Sequence, residues 1–256
     1  MSASRGILAN GVDRSSQNAG EGGVGVRGRV LGFEVQIIME HCDRGSLRQM
    51  LDKASAPFRD PGTGQVVYKA VLATAADVAK GMAQLHAMHI VHSDCKTQNI
   101  LLKSGGGDER GFIAKVSIFC QRLSCQHCQT FTLSYLLQIS DFGLAVKMNL
   151  NQTHISGAHD GTLTHMAPEM LLKGRQSKAA DVYAFGLVMW EIYTGGRAFS
   201  DVPNMLLGHQ IIHDKRRPIF PSGVPAEYVD IAKQCWDADP DKRCEVSALI
   251  CACRWY

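Results

Sequence analysis

His92-Ser93-Asp94-Cys95-Lys96-Thr97-Gln98-Asn99 is the stretch from which the rest of this sequence is read. Downstream of it come Asp141-Phe142-Gly143, Gly161-Thr162 and Ala167-Pro168-Glu169, then Asp181, Trp236, Asp239-Pro240 and Arg243. Each short motif alone arises by chance; their order along one chain is the signal. Upstream, Tyr68, Val71, Leu72, Ala75, Val78, Ala79, Met82 and Leu85 recur at helical spacing and predict an amphipathic helix ending near Met88. His89 to Leu102 reads as a polar loop between apolar flanks, and Gly105-Gly106-Gly107-Asp108 as a turn. Ser177 to Thr194 is apolar almost all round, which predicts a buried helix stopped by Gly195-Gly196. Tyr228, Ile231, Ala232, Cys235 and Trp236 mark a further amphipathic helix. Phe33 to Met39 reads as a strand, and Ser46 as the cap of a short helix over Leu47 to Leu51. The stretch 33–243 is therefore mainly helical, with few strands.

These motifs resemble those of the eukaryotic protein kinases, whose catalytic loop reads H-R-D-L-x-x-x-N. The resemblance runs from about Phe33 to Arg243 and covers the hinge and the helical C-terminal lobe. It implies a protein-kinase-like C-terminal lobe, mainly α, within an α+β family fold. Asp94 matches the residue that accepts the substrate hydroxyl's proton, and Lys96 the cation beside the transferred phosphoryl group. Asn99 and Asp141 match the Mg²⁺ ligands, hard oxygen donors for a hard cation. Thr162 is implied to hydrogen-bond Asp94 and Lys96. Met39-Glu40-His41-Cys42 resembles the hinge that holds adenine, with Met39 as gatekeeper and Glu40 and Cys42 in the ATP-binding segment. Ser46 is placed near the ribose, and Leu101 under the adenine. His92, Phe142, Gly143, Glu169, Asp181 and Arg243 match scaffold positions. Asp181 is implied to accept catalytic-loop amides, and Glu169 to pair with Arg243. Lys96, two residues after Asp94, is similar to the serine/threonine pattern. The implied activity is transfer of the ATP γ-phosphate to protein Ser/Thr hydroxyls with Mg²⁺, by a kinase of the tyrosine-kinase-like group.

Three departures from the family pattern set a competing expectation. Ser93 stands where the family has arginine, so the charge that pairs with an activation-loop phosphate is missing. Gly20-Glu21-Gly22-Gly23-Val24-Gly25 matches a glycine-rich loop, but only 14 positions separate Gly25 from Met39. Three strands and a helix need roughly 26 residues before turns. No lysine precedes Lys53. The N-terminal β-lobe is accordingly expected to be largely absent, with residues 1–32, eight of them glycine, a flexible tail. The competing reading is a catalytically inactive fragment or pseudokinase that binds other proteins. The third departure is the stretch Val116 to Gln138, 23 residues foreign to their neighbours. Excising it joins Gly111-Phe112-Ile113-Ala114-Lys115 to Ile139-Ser140-Asp141-Phe142-Gly143, an ordinary kinase strand. Valine codons begin GT and glutamine can be encoded CAG, so a retained intron is one reading. A zinc site built from Cys120, Cys125, His127 and Cys128 is the other, with only one C-x-x-C to support it. Residues 244–256 form an atypical tail, because the family usually has proline after the Arg243 position.

The composition agrees with this frame. A chain that is 45% hydrophobic and 20% charged is neither disordered nor fibrous. A net charge of +3 implies no nucleic-acid or membrane field, and no apolar run is long enough to span a bilayer. Residues 1–17 lack the apolar core of a signal peptide. The protein therefore reads as cytoplasmic or nuclear, and nine cysteines, an odd number, fit reduced thiols. The implied partners are ATP and a protein substrate. Lys215-Arg216-Arg217 reads as a solvated face, with basic docking as the alternative.

Overall fold

The structure is a computed structural model and describes residues 40–53, 57–118, 137–139, 146–147 and 162–252. The chain divides into two units, Met1–His41 and Cys42–Tyr256, and the fold that follows is that of the second. The expected strand at 33–39, the 1–32 tail, the proposed zinc ligands and Asp141-Phe142-Gly143 lie outside the described residues.

Helix α1 (Leu47–Asp52) begins where Ser46 predicts it. The Ser46 hydroxyl accepts the Gln49 amide while the Gln49 side chain accepts the Ser46 amide, a closed capping box. Helix α2 (Tyr68–Ala87) buries the apolar stripe read from the sequence, from Ala70 to Leu85. It leads to strand β1 (Ile90–Val91), a 3₁₀ turn (Thr97–Asn99) and strand β2 (Ile100–Ser104). The loop expected over His89 to Leu102 thus contains ordered backbone. Its polar residues hold that backbone through partners far away in sequence, Asp181 and Glu191 among them. Strand β3 (Phe112–Ile118) returns antiparallel to β2, with Ile100 opposite Val116 and Ser104 opposite Phe112. Arg110 ties this hairpin to α2, donating to Asp77 at 2.8 Å and to Thr74 at 2.9 Å. Strand β4 (Leu137–Ile139) lies parallel to the end of β3, and β5 (Val146–Lys147) pairs with β1.

The remaining chain is helical. Helix α3 (Pro168–Lys173) ends at Gly174, whose φ of +59° suits glycine. Helix α4 (Lys178–Thr194) starts at Ser177, whose hydroxyl accepts the Ala180 amide, and stops at Gly195. It is buried almost all round, as its apolar sequence requires, and packs against α2 and later helices. Helix α5 (Asn204–Ile212) precedes α6 (Ala226–Cys235), which crosses α4 at Gly186. A side chain there would come within 2.8 Å of the Cys235 Cβ, so only glycine permits the approach. Helix α7 (Val246–Ala252) packs on α2 and buries Val246. The segment after Arg243, set apart by its sequence, is joined to the core in this way. In the basic run, Lys215 and Arg216 are exposed, but Arg217 turns inward over the Tyr183 ring and donates to the Trp236 carbonyl. Among the described residues no helix is long and apolar enough to cross a membrane.

The expected join at Lys115 falls inside β3. Val116 is fully buried and Ser117 is 3% exposed, so the first residues of the stretch 116–138 complete the strand. Val116-Ser117-Ile118 and Ile139-Ser140-Asp141 share one pattern, a β-branched residue followed by serine. Deleting Val116–Gln138 is expected to seat Ile139 opposite Ile100 and Ser140 in the place of Ser117. Deleting one residue more, through Ile139, puts Ser140 into the buried Val116 position, and a one-residue slip exchanges the two faces of the strand. The second variant is expected to be less stable than the first by about 2 kcal/mol, one buried valine's worth. In a domain of this size that is roughly 4–8 °C in Tm. Equal midpoints in thermal unfolding would show that the register is not set here.

Candidate active site

The site grows from the loop between β1 and β2. His92 is fully buried. Its Nδ1 accepts the Asp94 amide at 3.2 Å, which leaves the proton on Nε2, and Nε2 donates to the Ser117 carbonyl at 2.7 Å. Ser93 adopts φ +68°, a left-handed conformation that a β-substituted residue takes only under constraint. The constraint is Asp181, 2% exposed in the first turn of α4. Its carboxylate accepts the His92 and Ser93 amides, each at 2.8 Å, and His86 Nε2 at 2.9 Å.

This anchoring presents Asp94, which is 8% exposed. Asp94 Oδ1 accepts the Thr162 hydroxyl at 3.0 Å and the Thr162 amide at 3.2 Å. Asp94 Oδ2 meets Lys96 Nζ at 2.7 Å and Asn99 Nδ2 at 2.8 Å. Lys96 Nζ also donates to the Thr162 hydroxyl at 2.5 Å. Asn99 Nδ2 bonds the Asp94 carbonyl at 2.8 Å as well. The amide nitrogen of Asn99 is therefore spent, and its oxygen is the group left to face a cation. Among the described residues no set of three His, Cys, Asp or Glu side chains could hold a metal ion by itself. The structure thus brings together Asp94, Lys96, Asn99 and Thr162, four residues more than sixty positions apart at the extremes.

Other residues named from the sequence are placed as follows. Leu101 is half-buried and forms a bridge with Ser46, while the Ser46 hydroxyl is committed to capping α1. Cys42 is half-buried and Glu40 exposed. Met39, Asp141, Phe142 and Gly143 lie outside the described residues. Glu169 meets Arg243 through both carboxylate oxygens, at 2.7 and 2.9 Å. Cys95 is 1% exposed, and burial pushes its thiol well above the ordinary range, with Asp181 and Asp94 adding to the shift.

One supporting group escaped the sequence reading. Glu191, buried in α4, accepts the Thr97 hydroxyl at 2.5 Å and the Ala198 amide at 3.0 Å. Arg48, 3% exposed, lies 3.7 Å from Glu191 and donates to the Gly195 and Gly196 carbonyls at the end of α4. Thr97 is thereby fixed to α4 one residue after Lys96. The available signal was a lone glutamate in an apolar helix, since a buried charge requires a partner. His165, packed nearby, has its imidazole pKa lowered by burial, against the pull of Glu191 and Asp94.

A family profile described as protein tyrosine and serine/threonine kinase matches residues 24–252. The chain belongs to this family. By family it is a protein serine/threonine kinase, and the kinase family uses ATP and a divalent metal. Over 84% of its length this kinase chain is 30% identical to the dual specificity protein kinase splA of Dictyostelium discoideum, of which it covers 8%. It is 26% identical over 86% of its length to the serine/threonine/tyrosine-protein kinase HT1 of Arabidopsis thaliana, covering 47% of that protein. A probable serine/threonine-protein kinase of Dictyostelium discoideum is 31% identical over 84% of the chain, which spans 13% of that relative. The kinase chain thus spans half or less of each of these relatives.

Proposed function

We propose that this chain carries the phosphoryl-transfer machinery of a serine/threonine protein kinase, acting on protein hydroxyls with ATP and Mg²⁺. The observation that carries the reading is the Asp94 carboxylate, held by Lys96, Asn99 and Thr162 around one point. A hydroxyl already sits 3.0 Å from Asp94 in the form of Thr162, the contact that a general base makes with an alcohol. Asp94 would take the proton of a substrate serine or threonine. Lys96, 2.7 Å away, would face the negative charge of the moving phosphoryl group. The Asn99 oxygen and Asp141 would hold Mg²⁺, which when bound neutralises phosphate charge. Lysine at position 96 supports Ser/Thr substrates.

A second reading has its own observation. No lysine occurs before Lys53, so the strand lysine that contacts ATP phosphates has no counterpart in residues 1–52. In that reading the chain is an inactive member of the family that binds other proteins.

One assay separates the two: the intact chain with Mg·ATP and a generic Ser/Thr substrate. The first reading expects phosphate transfer that falls about 100- to 10,000-fold in Asp94→Asn, the usual worth of a positioned base. Transfer that persists in Asp94→Asn would come from something other than this site. No transfer by the parent chain favours the second reading.

A further inference from the structure

His209 lies in α5 and His213 directly after its last residue, both exposed and both outside the site built around Asp94. Four residues take a helix about 40° past one turn and about 6 Å along its axis, so the two side chains leave one face. The turn between them is closed. His213 keeps helical backbone, and its amide donates to the His209 carbonyl at 2.8 Å. Leu207 and Ile211, fully buried, hold α5 to the core. The two imidazole rings lie against each other, with centres 4.6 Å apart and planes tilted by 39°. Among the described residues neither ring has a hydrogen bond or an ion pair. Gln210, between them in sequence, is engaged elsewhere: its side-chain oxygen accepts Arg216 Nη1 at 3.1 Å. Asp201 is taken up by the same arginine at 2.5 Å.

We propose that His209 and His213 form a chelating site for a transition-metal cation, with Cu²⁺ held tightest. Histidines with three residues between them are a spacing at which helices supply paired metal ligands. Imidazole nitrogen suits Cu²⁺, Ni²⁺ and Zn²⁺, and the order of affinity among these metals peaks at Cu²⁺. Mg²⁺ takes oxygen ligands instead, so this pair differs in kind from the donors proposed above for Mg²⁺.

The geometry asks little of the protein. The rings already touch, so rotation of the side chains alone turns one nitrogen of each toward a shared ion. The backbone between them stays helical. Once one ring holds the ion, the other meets it at the high effective concentration that a fixed turn imposes. Two protein ligands leave the other coordination positions to water, which keeps the ion exchangeable. The bridge would clasp the last turn of α5, whose other contacts are with α3 and with the 3₁₀ turn Leu163–His165 that follows Thr162.

The test uses the intact chain with its accessible thiols alkylated, and Cu²⁺ presented as the iminodiacetate complex, which leaves room for a pair of imidazoles. At one ion per chain, electron paramagnetic resonance is expected to show coordination by two imidazole nitrogens. His209→Ala and His213→Ala should each weaken binding roughly 100-fold, because a lone imidazole loses the chelate. Both positions are exposed, so the thermal midpoints of the metal-free variants should match that of the parent. His213→Ala/Asp214→His keeps the number of histidines but sets the two side chains about 140° apart, and it should not restore binding. Excess Mg²⁺ should displace no copper. Binding unchanged in either single variant, restored by the shifted histidine or lost to Mg²⁺ would overturn the proposal. None of these measurements depends on phosphate transfer.

Discussion

Arg243→Ala is expected to lower the unfolding free energy by about 3–5 kcal/mol, the cost of breaking a buried ion pair from one side. The Arg243 side chain is fully buried and its partner Glu169 is 12% exposed. The guanidinium makes two parallel bonds to Glu169 and others to the Ala179 and Asp237 carbonyls. It also stacks 5.2 Å from the centre of the Tyr183 ring, which Arg217 approaches at 5.0 Å. Removing the arginine strands the Glu169 carboxylate and opens space beside Tyr183, whose hydroxyl is already buried without a hydrogen bond and pushed up to about 12 by burial. Removing Glu169 as well relieves the stranded charge. Glu169→Ala/Arg243→Ala should therefore cost less than the sum of the single changes, by a coupling of about 2 kcal/mol. The measurement is a double-mutant cycle in urea, read from the midpoints at constant m. Additive changes would mean that water solvates Glu169 once its partner has gone. A loss below about 1 kcal/mol in Arg243→Ala would place the pair among exposed ones.

The positions of α1, α2, α4 and α6 were legible in the sequence because their causes are local. Ser46 caps α1, Ser177 caps α4, and the apolar stripe of α2 sits at the 3.6 period, so a window of a few turns holds each cause. The residues around Asp94 were legible for a different reason. The resemblance of this loop and of the later motifs, in their order, to those of protein kinases implies Lys96, Asn99 and Thr162 as its partners. What stayed hidden depends on partners distant in the chain. Ser93 carries no local sign that its backbone is left-handed, since Asp181, 88 positions away, holds it so. The Arg48–Glu191 contact and the Thr97 bond to Glu191 join segments that no period relates. Strand β3 runs past Lys115 into a stretch foreign to its neighbours in sequence, where Val116 is buried and pairs with Ile100 in the same ladder. A strand accepts any chain with the right inward residue, and two stretches of this sequence supply one.

Asp181→Ala is expected to cost about 3–5 kcal/mol and to loosen the catalytic loop in the same stroke. Hydrogen bonds to a charged acceptor contribute about 1.5–3 kcal/mol each. Asp181 accepts two backbone amides and a histidine, all away from solvent. Alanine leaves those donors unpaired. Asparagine keeps the shape but fails as well, because both Asp181 oxygens are acceptors and either amide orientation sets an NH₂ group against an N–H. Release of the strain at Ser93 makes the loss smaller than the bond count. A left-handed serine costs about 1–3 kcal/mol and persists only while its surroundings over-determine it. Freed from Asp181, the backbone at His92-Ser93 should relax toward ordinary φ, and Asp94, the next residue, should swing from Thr162 and Lys96. Hydrogen exchange reads this directly: the His92 and Ser93 amides should lose protection in Asp181→Ala at temperatures where α2 and α4 remain protected. His86→Ala removes only the side-chain bond and leaves both amides on Asp181, so it should cost about 1.5–3 kcal/mol and keep them protected. Protected amides in Asp181→Ala would mean that the loop holds its own shape. The carboxylate would then be a helix-end charge near the first turn of α4 and nothing more. Loss of protection together with loss of phosphate transfer would tie the strained serine to the position of Asp94. It would also explain why a buried aspartate sits in a helix that is otherwise apolar almost all round.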